Sequence, residues 1–167
     1  MITNREQYYY QQVELLLRVL PYVAKESCFA LKGGTAINFF IRDMPRLSVD
    51  IDLTYLPIES REITLKQIEA SLIRIKTSLL NSNSSMVIQE KRTVQDSRLN
   101  KLYIHYNNAM IKIEPNEILR GSVYAIEHKN ITRKIEETFH MSIIICLSVM
   151  CPFYLLRIYM VEKFVPH

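Results

Sequence analysis

The chain contains few cysteines and few glycines, and these shortages limit the class of protein. Its three cysteines are odd in number and show no spacing pattern, so the sequence gives no disulfide framework. No signal peptide precedes the first helical segment, and the sequence therefore predicts a protein of the reducing cytoplasm. Internal repeats and low-complexity tracts are also absent. These features argue against a small disulfide-rich secreted domain.

The overall composition indicates one globular domain. A length of 167 residues, with 49% hydrophobic and 23% charged residues, is sufficient to bury a single core. The net charge of +4 is only mildly basic. It would tolerate an anionic partner such as a nucleotide or RNA, but solvated faces explain it equally well.

One apolar segment, residues 142–161, is almost long enough to span a bilayer. Pro152 and Arg157 lie inside it and weaken that interpretation. A membrane-tethered protein therefore ranks last among the alternatives, and the sequence predicts no membrane association.

Two of the three glycines, Gly33 and Gly34, are adjacent in the stretch CFALKGGTAINFF. We interpret this stretch as a short buried strand, a glycine turn and a helix capped by Thr35. A turn without side chains at a helix start lets backbone N–H groups approach phosphate oxygens closely. The Thr35 hydroxyl could join them, and three cations could offset phosphate charge: Lys32, Arg42 and Arg46.

Two aspartates alternate in LSVDIDLTYL, residues 47–56, which is the clearest strand in the sequence. Alternation places Asp50 and Asp52 on the same face, where two unpaired carboxylates would be costly. A shared cation removes that cost, and carboxylate oxygens are ligands that Mg²⁺ prefers. A third acid from a neighbouring strand is expected, and Glu114 in IKIEP is the best candidate because it lies on the polar face of its strand.

The remaining elements complete the fold prediction. Residues 5–26 have a helical pattern that Pro21 should kink or break, and Leu65, Ile68, Leu72, Ile75 and Leu79 recur along one face of a second long helix. Three further runs are interpreted as strands: residues 86–93, 101–106 and 109–115. The order of elements predicts an α+β fold with a mixed β-sheet flanked by helices.

Each motif also has a simpler explanation. A glycine pair is most often a tight turn, alternating aspartates often mark a solvated strand, and Glu114 alone would be an exposed acid. The ordered combination of glycine turn, helix, paired aspartates and later strand acid is much less common. The combination favours a functional site.

The stretch FALKGGTAINFFIRDMPRLSVDIDLTYLP, residues 29–57, resembles the signature region of the AbiEii/AbiGii toxin family. These are nucleotidyltransferases of type IV toxin–antitoxin systems within the polymerase-beta-like superfamily. The resemblance continues more loosely through IKIEPNEILRGSVY, to about residue 125. It implies a nucleotidyltransferase fold acting on a nucleoside triphosphate with Mg²⁺ or Mn²⁺. Some members act on tRNA ends, and the cognate antitoxin acts without binding the toxin.

The resemblance also implies roles for individual residues. Gly33, Gly34 and Thr35 would hold the nucleotide phosphates, and Ser48 would contact the nucleotide. Asp50 and Asp52 match the metal-binding acid pair, while Glu114 matches the third acid. These three acids are the expected catalytic and metal-binding residues, and Lys32 and Arg46 are added to the nucleotide-binding set.

The resemblance stops before a second half that the family carries, with a lysine motif and helices that complete the nucleotide site. We therefore divide the chain into a nucleotidyltransferase core, residues 1–140, and an apolar tail, residues 141–167. With suitable synonymous codons, residues 153–167 can be reread in the shifted frame as LSFADLYGGKICAA, which resembles the missing motif. Met160 followed by any valine codon forces one of its glycines. We hypothesise a one-base frameshift upstream of residue 153, so that the tail is the misread start of the helical half.

Two functional hypotheses follow from these patterns. The first is a toxin-type, metal-dependent nucleotidyltransferase whose activity is weak or absent in the chain as written. Its exposed apolar surface would promote self-association. The second is a non-catalytic, nucleotide-binding remnant of such a toxin.

Overall fold

The computed structural model describes residues 4–42, 48–122, 126–139 and 156–158. The helices in this part are α1 (Asn4–Ala24), α2 (Gly33–Phe40), α3 (Arg61–Ser82) and α4 (Arg133–Thr138). The strands are β1 (Phe29–Lys32), β2 (Ile51–Tyr55), β3 (Val87–Arg92), β4 (Leu99–Tyr106), β5 (Ala109–Arg120), β6 (Glu127–Lys129) and β7 (Leu156–Ile158).

The described strands form one sheet in the order β3-β4-β5-β2-β1-β7-β6. β2 is antiparallel to β1 and parallel to β5, and β4 is antiparallel to both β3 and β5. The sheet is therefore mixed, and the predicted α+β class is confirmed.

The two long helices form because each has one apolar face to bury. In α3, Ile68, Leu72, Ile75 and Leu79 are buried at helical spacing, as predicted. Ser60 caps the helix by accepting a hydrogen bond from the backbone N–H of Ile63. Both α1 and α3 pack on β5, and α3 also contacts β4 and α1. The core lies between these helices and one face of the sheet.

The helix α1 does not break at Pro21, which corrects the expectation from the sequence. It continues to Ala24, so that Pro21 lies in its last turn. The missing N–H of the proline removes one helical hydrogen bond, and little helix follows that a break at this point could disrupt. Leu20 and Val23, on either side of Pro21, remain buried and hold the last turn against the core.

The strand β5 is longer than predicted, because it runs through Pro115 to Arg120. Its pairing with β2 shifts after Thr54, and Tyr55 then pairs with Arg120. The side-chain oxygen of Asn116 accepts hydrogen bonds from the backbone N–H groups of Ile118 and Leu119. The register shift makes the backbone irregular here, and these bonds give its N–H groups hydrogen-bond acceptors.

The predicted tail, residues 141–167, lies outside the described residues except for β7. The backbone of β7 is parallel to β1 and antiparallel to β6. Across the described ranges, no helix combines the length and the apolar character needed to cross a membrane.

Candidate active site

The glycine turn joins β1 directly to α2, since β1 ends at Lys32 and α2 begins at Gly33. Gly33 has a φ of 76°, in the left-handed region that residues with side chains rarely adopt. A Cβ atom at this position would lie 2.9 Å from Oδ2 of Asp52. The absence of a side chain therefore permits both the turn and the close approach of this carboxylate.

The second glycine contacts the segment that precedes β2. A Cβ at Gly34 would lie 2.8 Å from Oγ of Ser48. The buried Thr35 donates a 2.6 Å hydrogen bond to the backbone carbonyl of Asp50, and its hydroxyl lies 3.3 Å from that of Ser48. The start of α2 is thus fastened to the segment that carries the aspartates.

Thr35 is not the N-cap of α2, which corrects the sequence prediction. The helix begins two residues earlier, and Lys32 occupies the cap position without a side-chain cap bond. In this geometry the Thr35 hydroxyl is engaged by the backbone of Asp50. This hydrogen bond links the start of α2 to the Asp50 segment.

A row of charged side chains crosses three strands next to the turn. In the sheet, Lys32 on β1 lies directly opposite Asp52 on β2. Asp52 in turn lies opposite Glu114 on β5. Neighbouring strands lie about 4.8 Å apart, so the row is short. The structure therefore brings together two predicted acids that are distant in sequence.

Two lysines that we did not predict as site residues contact this row. Nζ of Lys112 lies 2.7 Å from Oε2 of Glu114 and 3.4 Å from Oδ2 of Asp50. Lys101, on β4, pairs with the other carboxylate oxygen of Glu114. The alternation in β5 already places Lys112 on the face of Glu114, and this was the available signal. Lys101 could be found only from the pairing of β4 with β5.

The electrostatic environment differs between the two strand acids. Burial raises the pKa of Asp52, and the nearby Asp50 and Glu114 raise it further, while Lys112 and Lys32 oppose the shift. Hydrogen bonds from Lys101 and Lys112 lower the pKa of Glu114. The lysines therefore satisfy Glu114, whereas the charge of Asp52 is not fully compensated.

A cavity of about 790 Å³ opens beside the row. Its polar side includes Lys32, Gly33, Asp52, Lys101 and Glu114. Its apolar residues are Ala36, Ile37, Ile41, Pro115 and Ile118. This volume lies within the range of about 300–1,000 Å³ that small-molecule and cofactor sites usually have.

The donor chemistry of the site suits a hard divalent cation. Asp50, Asp52 and Glu114 all offer carboxylate oxygens, which Mg²⁺ and Mn²⁺ accept as ligands. In the described part of the chain, no three histidine, cysteine or acidic side chains are grouped closely enough to hold a metal as they stand. The ammonium group of Lys112 contacts both Asp50 and Glu114, so a cation already lies between these two acids.

The predicted nucleotide-binding residues fall into three groups. Lys32 and Gly33 line the cavity, together with the acids Asp52 and Glu114. Gly34, Thr35, Ser48 and Asp50 are not among its lining residues but are linked to it through the turn. Arg42 also does not line it, and Arg46 lies outside the described residues.

A glycine turn facing paired acids on a mixed sheet defines a nucleotidyltransferase-like α+β fold. Residues 14–152 match the family described as nucleotidyl transferase AbiEii toxin, type IV toxin–antitoxin system, and the chain belongs to this family. No curated protein matches the chain.

Proposed function

We propose that this protein is a toxin-type nucleotidyltransferase that uses Mg²⁺ or Mn²⁺ and a nucleoside triphosphate. One observation carries the proposal: Lys32, Asp52 and Glu114 form a row beside the glycine turn and share one cavity. The row offers carboxylates for a cation, and the turn offers backbone N–H groups for phosphates. Membership in the AbiEii family supports this combination.

The residues divide the work as follows. The backbone at Gly33 and Gly34, with the ammonium group of Lys32, binds the phosphate chain. Asp50, Asp52 and Glu114 would hold the metal, which would supply charge stabilisation for the transferred nucleotidyl group. Thr35 and Ser48 keep the turn against the aspartate segment. A hydroxyl oxygen of the acceptor forms a bond to the α-phosphorus and releases its proton to solvent. The bond from the α-phosphorus to the oxygen that bridges it to the β-phosphate breaks, and pyrophosphate leaves with that oxygen.

The acceptor that we propose is the end of a tRNA, and the proposed partner is an antitoxin that counteracts the toxin without binding it. Family membership supports a toxin–antitoxin setting. The mildly basic charge of the chain is compatible with an RNA acceptor.

The test supplies the protein with Mn²⁺, total tRNA and each of four α-labelled nucleoside triphosphates. We expect label in the tRNA from one or a few of the nucleotides, weak with the chain as written and strong with the frame-restored protein, and none when the metal is chelated. Label that appears equally with chelator present, or growth that is unaffected when an active form is expressed, would count against the proposal.

A non-catalytic, nucleotide-binding remnant is the alternative. It is favoured by the two lysines that pair with Glu114, because a carboxylate already paired with two ammonium groups has less need of a metal. A remnant would bind a nucleoside triphosphate without any dependence on Mn²⁺. Titration of a triphosphate with and without Mn²⁺ therefore separates the two functions.

We further propose that the reading frame shifts by one base upstream of residue 153. The family match ends at residue 152, directly before the stretch that can be reread as a family-like lysine motif. We predict that the gene, sequenced from codon 135 onward, continues in the shifted frame into this motif. The frame-restored protein should then transfer nucleotides at least about a hundredfold faster, since the added lysine would complete the phosphate site.

DNA without such a continuation would contradict the frame proposal. The tail would then be native, and the remnant function would gain support. The assignment of the acids would not be affected, because it depends on the described core.

A further inference from the structure

The ammonium group of Lys112 lies between two of the proposed metal ligands, Asp50 and Glu114. Its ammonium nitrogen lies 2.7 Å from Oε2 of Glu114 and 3.4 Å from Oδ2 of Asp50. Lys112 and Glu114 are two positions apart in β5, so both side chains leave the same face of the strand. Lys112 is therefore fixed beside the carboxylates by the strand itself.

The cluster contains as many ammonium groups as carboxylates. Three carboxylates, Asp50, Asp52 and Glu114, face three ammonium groups of Lys32, Lys101 and Lys112. A divalent cation that joins the carboxylates must displace Lys112, since both cannot occupy the space between Asp50 and Glu114. The displaced ammonium would then lie close to a metal ion of the same sign, which is unfavourable.

An incoming phosphate chain removes this conflict. The cavity beside the row has room for a nucleotide, and Glu114 and Lys101 line it. A phosphate oxygen at the metal would provide a new anionic partner for the ammonium of Lys112. Metal and triphosphate would each bind better when the other is present, which is the meaning of a coupling free energy between two ligands.

We propose that Lys112 is an exchangeable cation that makes metal binding conditional on the nucleotide. Without nucleotide it neutralises Asp50 and Glu114 and competes with the metal. With nucleotide it moves to a phosphate and contributes to triphosphate binding. This inference rests on the proposed function, and it assigns to Lys112 a ligand-binding role that couples the metal to the nucleotide.

The test compares Mn²⁺ affinity in the full chain and in the Lys112→Met variant, with and without a non-hydrolysable nucleoside triphosphate. In the wild type, the triphosphate should raise Mn²⁺ affinity about tenfold or more, within the usual range of coupled sites. In Lys112→Met, Mn²⁺ alone should bind about tenfold more tightly, and most of the coupling should disappear. A purely structural role of Lys112 would not make metal binding tighter.

Lys91→Met is the matched control. Lys91 is exposed on β3 and lies opposite Lys101, two strands away from Glu114. The Lys91→Met substitution removes the same charge from the chain, but about two strand spacings, or roughly 10 Å, away from Glu114. We expect its Mn²⁺ affinity and coupling to stay within about twofold of the wild type.

The outcomes separate the two proposals. If the wild type binds Mn²⁺ and triphosphate cooperatively but Lys112→Met behaves identically, the exchange inference is overturned and the proposed function stands. If the wild type binds neither ligand, both are overturned. Lys112→Gln provides a second variant, with the same expected result, should Lys112→Met not fold, and thermal melting of each variant verifies the fold.

Discussion

Asp52→Asn should strongly weaken metal-dependent nucleotide binding and slow nucleotidyl transfer. Asp52 lines the cavity and lies between Lys32 and Glu114 in the sheet. Asparagine keeps the shape of the side chain but removes the negative charge that a divalent cation requires. We expect Mn²⁺–triphosphate affinity to fall by about a hundredfold, since loss of even a supporting group usually costs about 10–100-fold. The transfer rate should fall by about a thousandfold, the equivalent of about 4 kcal/mol.

The same substitution should not destabilise the protein. Burial and the neighbouring Asp50 and Glu114 raise the pKa of Asp52, so its ionised form is disfavoured in the folded chain. At a pH above that raised pKa, replacing the carboxylate with a neutral amide removes this cost. We therefore expect an equal or higher free energy of unfolding, measured in urea without metal.

Glu62→Gln is the control for this experiment. Glu62 is an exposed acid on α3, and its ion-pair partner in the described part of the chain is Lys66, one helical turn away. Its removal should change neither binding nor transfer. An Asp52→Asn protein that retains wild-type Mn²⁺–triphosphate affinity would rule out Asp52 as a metal ligand.

Gly33→Ala should damage both the turn and the carboxylate beside it. The left-handed φ of 76° costs a residue with a side chain about 1–2 kcal/mol. The new methyl group would also lie 2.9 Å from Oδ2 of Asp52, so the carboxylate would have to move. We expect the free energy of unfolding to fall by about 1–2 kcal/mol and Mn²⁺–triphosphate affinity to fall by about tenfold or more.

Gly121→Ala separates the two effects. Gly121 has a similar φ of 73°, but its added methyl group would meet the Ile58 side chain, which is highly exposed and can move. Gly121 is not among the residues that line the cavity. This variant should lose similar stability and keep its ligand affinity, both measured as for Gly33→Ala. Equal losses of affinity in the two variants would show that the effect of Gly33→Ala is one of general destabilisation.

Local patterns in the sequence were sufficient for much of the fold. The spacing of Leu72 and Leu79 in α3 and the alternation around Asp52 depend only on the periods of a helix and a strand. These patterns also placed Asp52 and Glu114 on polar faces. They failed at Pro21 and Pro115, where the element continues because the surrounding chain supplies contacts and hydrogen bonds.

The site itself depended on long-range pairing. Nothing in the local sequence brings Glu114 next to Asp52, because that contact requires β5 to align in parallel with β2 in one particular register. The same register brings Lys112 within reach of Asp50, and the pairing of β4 with β5 adds Lys101.

The sequence by itself therefore predicted the longer elements, the glycine turn and three candidate acids. The tertiary structure decided how those acids are neutralised and which of them lines the cavity. The physical reason is that periodicity is a property of neighbouring residues, whereas charge compensation depends on distances between strands that are far apart in the chain.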